Sequence, residues 1–238
     1  MIREDGRLPN QLRPVSFETH FTAWAEGSVL AKFGNTHVLC NVTIENHLPR
    51  WLANRSEPHG WLTAEYAMLP RATQRRTRRE QRWPRGRTQE ISRLIGRSLR
   101  MSLDLPALGE RTLTLDCDVL QADGGTRTTA ITGGWVAVAL ALKPLIEAGD
   151  LPETVLKQQV AAISVGVVGG HALLDLPYVE DVDAEVDLNV VMATGGQIIE
   201  VQGTGEKNTF SRAQLTELLD LAEGGIQELL TFQSQALS

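Results

Sequence analysis

The segment Leu120-Gln-Ala-Asp-Gly-Gly-Thr-Arg127 brings a Gly-Gly turn, a threonine hydroxyl and a guanidinium into one short stretch. It leaves an alternating apolar segment (Leu113, Leu115, Cys117, Val119) that reads as a strand, and it enters a helix-forming segment near Thr128. A strand, a tight turn and a helix start gather unpaired backbone N–H groups and the positive end of a helix dipole at one point. With the Thr126 hydroxyl and the Arg127 fork added, Gly125, Thr126 and Arg127 outline an anion site. Neither phosphate fingerprint applies, because the loop matches neither G-x-G-x-x-G nor G-x-x-x-x-G-K-[ST]. Taken alone, it reads slightly better as an ordinary strand-to-helix turn.

A second constellation is acidic. Glu180-Asp-Val-Asp-Ala-Glu-Val-Asp187 holds five carboxylates in eight residues. An EF-hand is excluded: counted from Asp181, the sixth position is Val186 rather than Gly, and the twelfth is Met192 rather than Glu. If residues 181–189 are extended, Asp181, Asp183, Glu185, Asp187 and Asn189 share one face. Like charges so placed repel unless a cation or arginines neutralise them, and Mg²⁺ suits such a set. A solvated acidic turn fits the segment equally well.

The third feature is cationic. The chain carries a net charge of −6, which by itself argues against a nucleic-acid partner. Yet residues 71–87 hold eight arginines (Arg71, Arg75, Arg76, Arg78, Arg79, Arg82, Arg85 and Arg87) against the single acid Glu80. Arginine without lysine favours planar, bidentate phosphate binding, and Gln74, Gln81 and Trp83 add groups that can contact sugars or stack on bases. RNA or another polyphosphate is the expected partner of this segment. Five histidines show no paired metal spacing, Gly203-Thr-Gly205 reads as a plain turn in preference to a phosphate loop, and no G-x-S-x-G elbow is present.

These residues need elements to hold them. Val15–Trp24, Val29–Phe33 and His37–Ile44 read as an antiparallel meander, residues 46–59 as loop and Gly60–Leu69 as a further strand. A helix from Thr88 puts Ile91, Leu94, Ile95, Leu99 and Leu103 on one face. The helix of about 128–147 carries Gly133-Gly134 for close packing, and Pro144 should kink or restart it. Strands follow near 161–168, 171–176, 186–193 and 197–202, then a helix opened by the capping box Ser211-x-x-Gln214. Segregated strands and helices indicate an α+β fold of two similar strand-then-helix halves, 1–150 and 151–238.

With 42% apolar and 22% charged residues, the composition is that of an ordinary globular chain. No apolar run approaches the roughly 18–20 residues of a membrane span, and the first residues show no apolar leader, so a cytoplasmic address is expected. Cys40 and Cys117 sit in strand-like patterns and read as buried thiols.

As a set, these residues resemble the ribonuclease PH family of phosphorolytic 3′-to-5′ exoribonucleases that trim tRNA precursors. The similarity runs from Arg7 to about Leu230. Its blocks are Gln11-Leu-Arg-Pro14, Ala25-Glu-Gly-Ser28, Thr63-Ala-Glu-Tyr66, Met68-Leu-Pro-Arg-Ala-Thr73, Gly86-Arg-Thr88, Leu115-Asp-Cys-Asp-Val-Leu-Gln-Ala-Asp-Gly-Gly-Thr-Arg127, Tyr178-Val-Glu-Asp181 and Glu200-Val-Gln-Gly-Thr204. The resemblance implies the ribosomal protein S5 domain 2-like fold, a homohexamer built as a trimer of dimers, and attack by inorganic phosphate rather than water. It implies that Arg87, Gly125, Thr126 and Arg127 bind phosphate, and that Asp181 and Asp187 are the catalytic and Mg²⁺-associated carboxylates. It also implies RNA contacts at Arg71, Arg76 and Arg79. A catalytically silent RNA-binding ring subunit and a hydrolytic metal-dependent nuclease are the alternative readings. Arg82-Trp-Pro-Arg85 departs from the family's usual lysine- and glycine-rich stretch.

Overall fold

The computed structural model describes residues 3–79 and 86–238. The first sheet is built from β1 (Val15–Thr19), β2 (Gly27–Phe33), β3 (Thr36–Glu45), β4 (Trp61–Met68) and β5 (Thr112–Gln121), in the order β1-β2-β3-β5-β4. A short helix, α1 (Arg50–Ala53), precedes β4, and α2 (Gly86–Arg100) connects β4 to β5. The meander β1-β2-β3 is antiparallel, as expected. β4 runs parallel to β5, because the α2 crossover returns the chain to the same end of the sheet.

The long helix α3 (Thr126–Glu147) then leads to β6 (Val160–Val168) and β7 (His171–Leu174). After these come the short helix α4 (Tyr178–Asp183), β8 (Val186–Ala193), β9 (Gln197–Gly205) and α5 (Arg212–Leu237). The second sheet, β7-β6-β8-β9, is antiparallel throughout. The architecture is therefore α+β.

Alternation decides which side chains face α3. Val38, Cys40 and Val42 of β3 and Leu113, Leu115, Cys117 and Val119 of β5 are buried beneath it. Cys40 and Cys117 are directly opposed in the β3–β5 register and remain free thiols. The glycine pair permits the contact: a Cβ on Gly133 would lie 2.5 Å from Cβ of Ala31, and one on Gly134 2.7 Å from Leu115. By length and composition α3 could cross a membrane, contrary to the sequence expectation. Every residue from Thr128 to Leu142 is instead buried, which makes it the central core helix. β6 is buried along its whole length because Val160 and Ala162 join the α3 core while Ala161, Ile163 and Val165 join the α5 core. Gln233 of α5 closes the junction, donating to the carbonyls of Thr132 and Val160 at 2.9 Å each.

Several expectations are corrected. β1 ends at Thr19 rather than Trp24, because His20 turns into positive φ and Trp24 is 96% exposed. The expected loop 46–59 contains α1, which buries Leu52 and sets Trp51 edge-on to Trp61 with ring centroids 5.0 Å apart. α3 continues through Pro144 to Glu147, so the helix does not restart there, and the Pro144 carbonyl accepts from Ala148 N–H at 3.0 Å. Gly203-Thr-Gly205 is neither turn nor phosphate loop but the end of β9. Residues 181–189 are not one extended run. Pro177 starts the turn of α4, with Glu180 and Asp181 N–H donating to its carbonyl, and β8 begins only at Val186. The α5 capping box is formed as expected, Ser211 Oγ accepting from Gln214 N–H.

Candidate active site

The Gly-Gly turn sits where β5 hands over to α3. Gly124 and Gly125 both adopt positive φ (75° and 66°), which disfavours any residue with a Cβ. Gly125 is the N-cap residue, and no side chain caps the first turn of α3. The hydroxyls of Thr128 and Thr129 donate to the Gly125 carbonyl at 2.9 Å and so do not cap the first-turn N–H groups. Thr36 Oγ1 donates to the Gly124 carbonyl at 2.6 Å and accepts from Asp123 N–H at 2.9 Å, fixing the loop from β3. The helix end opens into a cleft of about 950 Å³.

All six residues expected at the reaction centre line that cleft: Arg87, Gly125, Thr126, Arg127, Asp181 and Asp187. They come from the first turn of α2, the start of α3, α4 and β8. Arg127 is held by Gln202 Oε1 at 2.9 Å and by Glu90 Oε1 at 3.5 Å, with its side chain 19% exposed. Gln202 in turn donates to Glu90 and Glu200 at 3.1 Å each, which locks its carbonyl toward Arg127. Arg87 is exposed at the rim. Its charge and that of Arg127 act on both Asp181 and Tyr66.

The two aspartates face each other from different elements. Burial, then the neighbouring Asp181 charge, push the Asp187 carboxyl up to about 6, with Arg127 opposing. Asp187 Oδ1 is buried without a hydrogen-bond partner, while Oδ2 accepts from Asn189 at 3.4 Å. Burial also raises Asp181, against the pull of Arg87 and Arg127. Of the other carboxylates in that run, Asp183 is exposed and pairs with Lys207 at 3.5 Å. Glu185 accepts from Gly170 N–H at 3.0 Å. Neither lines the cleft. No group of three or more His, Cys, Asp or Glu able to hold a metal occurs among the described residues. Two carboxylates with one orphaned buried oxygen fit a hard divalent ion that fills its remaining positions with water and substrate oxygens.

The arginine segment leaves the cleft rim, where Met68 and Thr73 line the wall. Ala72 is buried, and its carbonyl accepts from Ala122 N–H at 2.8 Å, so the segment is tied to the residue before Asp123. Arg71, Arg75, Arg76, Arg78 and Arg79 are exposed, and Arg79 lies near Asp118 of β5. Glu80, Gln81, Arg82, Trp83 and Arg85 lie outside the described residues.

Sequence reasoning gave no role to Tyr66, Ser164 or Gln202. Tyr66 is nearly buried and exchanges a 2.8 Å hydrogen bond with Thr126 Oγ1. Ser164 and Gln202 line the cleft. Tyr66 and Gln202 lie within motif blocks of the family resemblance, which was the available signal.

Two family models match the chain: domain 1 of the 3′ exoribonuclease family over residues 11–144, and domain 2 over residues 158–225. Ribonuclease PH of Crocosphaera subtropica is 61% identical over 236 residues, covering 99% of this chain and 98% of the relative. Ribonuclease PH of Synechococcus elongatus is 57% identical with the same coverage. Among solved structures, rice Rrp46 superposes with a TM-score of 0.80 at 20% identity, covering 99% of this chain and 100% of that one. An Archaeoglobus fulgidus exosome with RNA bound to the active site gives 0.78 at 21% identity, covering 96% of this chain and 91% of that one. Fold, cleft and sequence agree: the chain belongs to the 3′ exoribonuclease family of ribonuclease PH.

Proposed function

We infer that the chain is a phosphorolytic 3′-to-5′ exoribonuclease, a nucleotidyltransferase that trims tRNA precursors by the reaction tRNA(n+1) + phosphate ⇌ tRNA(n) + nucleoside diphosphate. The observation that carries this reading is the convergence of an uncapped helix N-terminus, two arginines and two carboxylates on one cleft. A hydrolase needs no dedicated pocket for a second phosphate anion.

Inorganic phosphate sits at the start of α3, taking donors from the first-turn backbone, Thr126 Oγ1, Arg127 and Arg87. The helix dipole and both guanidinium groups offset the repulsion between the incoming anion and the scissile phosphodiester. Gln202 and Glu90 hold Arg127 in one orientation, so little reorganisation is needed when phosphate attacks in line. Asp181 and Asp187 would hold Mg²⁺, which when bound supplies positive charge for the ribose 3′-oxygen as it leaves phosphorus. The alternative role, with no metal on it, is that the Asp187 carboxyl, pushed up to about 6, exchanges a proton near that oxygen. The exposed arginines at 71, 76 and 79 bind the RNA backbone beyond the reacting nucleotide.

A homohexameric ring belongs to the same proposal. It would gather several copies of the arginine segment around the RNA, giving an acidic chain strongly cationic surfaces. A cytoplasmic address is part of the same proposal, as the compartment where a tRNA precursor would meet the enzyme. The test is reversal. With Mg²⁺, a nucleoside diphosphate and a tRNA, the enzyme should extend the 3′ end and release phosphate. A hydrolytic nuclease or a silent ring subunit would give no extension, and that result would overturn the reading.

A further inference from the structure

The anion loop and the helix that carries Asp181 belong to different halves of the chain, and a third segment fastens them together. Arg13 runs from the N-terminal strap into the seam. Its backbone N–H and Nε donate to Asp175 Oδ2 at 2.8 and 3.0 Å, and its Nη2 donates to Asp175 Oδ1 at 2.7 Å. The same guanidinium donates through Nη1 to the Asp123 carbonyl at 2.5 Å and through Nη2 to the Gly124 carbonyl at 3.5 Å. Both ion-pair partners are buried, at 4% and 1% side-chain exposure.

Asp175 lies just past the end of β7. It takes positive φ (55°), a conformation that costs a non-glycine residue free energy and persists where surroundings enforce it. Its N–H donates to the Ser164 carbonyl, and the next residue, Leu176, donates N–H to Ser164 Oγ at 3.3 Å. Ser164 itself lines the cleft.

From the loop side, Asp123 reaches back. Its Oδ1 accepts from Tyr178 N–H, at the start of α4, at 3.2 Å. The two backbones touch: a Cβ on Gly124 would lie 2.4 Å from the Leu176 carbonyl and 2.9 Å from Tyr178 N. The far side of α4 is held by Arg3, whose Nε donates to the buried Glu180, beside Asp181, at 2.9 Å. Arg13, Asp123 and Asp175 do not line the cleft, so they do not face substrate.

We propose that Arg13, Asp175 and Asp123 are positioning residues that fix the distance between the phosphate loop, Gly124–Thr126, and the α4 carboxylate Asp181. This rests on the phosphate and aspartate assignments above. In-line attack requires the incoming phosphate and the leaving oxygen to be held together, and a misplacement of about 1 Å can cost roughly 10²-fold in rate.

Asp123 gives the cleanest test, because it is only half-buried and its removal leaves the buried Arg13–Asp175 pair intact. In the full-length enzyme with Mg²⁺, Asp123→Ala should raise KM for phosphate and lower kcat. The combined loss in kcat/KM for phosphate should be roughly 10–10²-fold. The dissociation constant for tRNA and the urea midpoint should stay close to wild type. Asp123→Asn keeps a carbonyl that can accept from Tyr178 N–H and should recover most of the loss. Normal phosphate kinetics in Asp123→Ala, alongside an Arg127→Ala variant with raised KM for phosphate, would overturn the positioning role alone. A failure of Asp123→Asn to recover activity would also overturn it. An Arg127→Ala variant with unchanged KM for phosphate would remove the anion site and the positioning role with it.

Discussion

The Tyr66 phenol and the Thr126 hydroxyl lie 2.8 Å apart, joining edge strand β4 to the first residue of α3. Burial raises the Tyr66 phenol above its usual value, so it stays protonated across the working range and can donate to Thr126 Oγ1. Thr126 is then free to give its own proton to an anion at the helix end. Tyr66→Phe removes that donor while keeping the ring in the core. It should raise KM for phosphate several-fold and cost about 1 kcal/mol of stability, as one buried neutral hydrogen bond does. Phosphate titrations of activity together with urea unfolding check both effects.

The carboxylates make activity and stability respond to pH in opposite directions. Asp187 is raised to about 6 in the folded chain from an ordinary 3.8. The folded protein therefore holds a proton that the unfolded chain has already lost between those values. The contribution to stability is full below about 3.8 and is lost as pH rises through about 6. In EDTA, Asp187→Asn should gain melting temperature relative to wild type as pH goes from 4 to 8. Turnover with Mg²⁺ should fall for wild type at acid pH, where protons compete with the ion for the two carboxylates. Asp187→Asn and Asp181→Asn should each lose most turnover. Asp183→Asn should stay within about twofold, as exposed substitutions usually do. Melting curves and rate profiles over that range test the assignment, and an Asp183→Asn as impaired as its neighbours would refute it.

How much of this was legible in the sequence follows from range. The strand, the glycine turn and the helix start were readable because all their parts are contiguous: alternation on β5, two glycines in positive φ and a helix start. The acidic face was misread for a local reason. A period of two through Asp181, Asp183, Glu185 and Asp187 mimics a strand, while Pro177 opens a helical turn that Ala184 closes by burying itself. Only Asp187 and Asn189 keep the expected shared face. Tyr66, Gln202 and Arg13 stood in the family blocks, but their roles were not legible because their partners lie 60, 75 and 110 residues away. No pattern of period two or 3.6 encodes such contacts.

The exposed arginines should make RNA binding a salt-dependent process. Each phosphate neutralised releases condensed counterion, so affinity for tRNA should fall steeply with ionic strength. Replacing Arg75, Arg76, Arg78 and Arg79 by Ala removes charge from exposed positions outside the cleft lining and keeps the Arg75 backbone carbonyl that accepts from Thr73 of the cleft at 2.7 Å. The variant should bind tRNA more weakly and with a shallower salt slope, yet still phosphorolyse a very short oligonucleotide. An unchanged slope in a salt titration would take the segment out of the RNA path.

Product identity tests the central claim most directly. Purified enzyme, Mg²⁺ and a tRNA with an extended 3′ end are incubated with and without inorganic phosphate, and the released nucleotides are separated. On the proposed mechanism the phosphate held by Arg87, Thr126 and Arg127 would end up on the product, so nucleoside diphosphates should appear only when phosphate is supplied. Nucleoside monophosphates released at the same rate in phosphate-free buffer would contradict it.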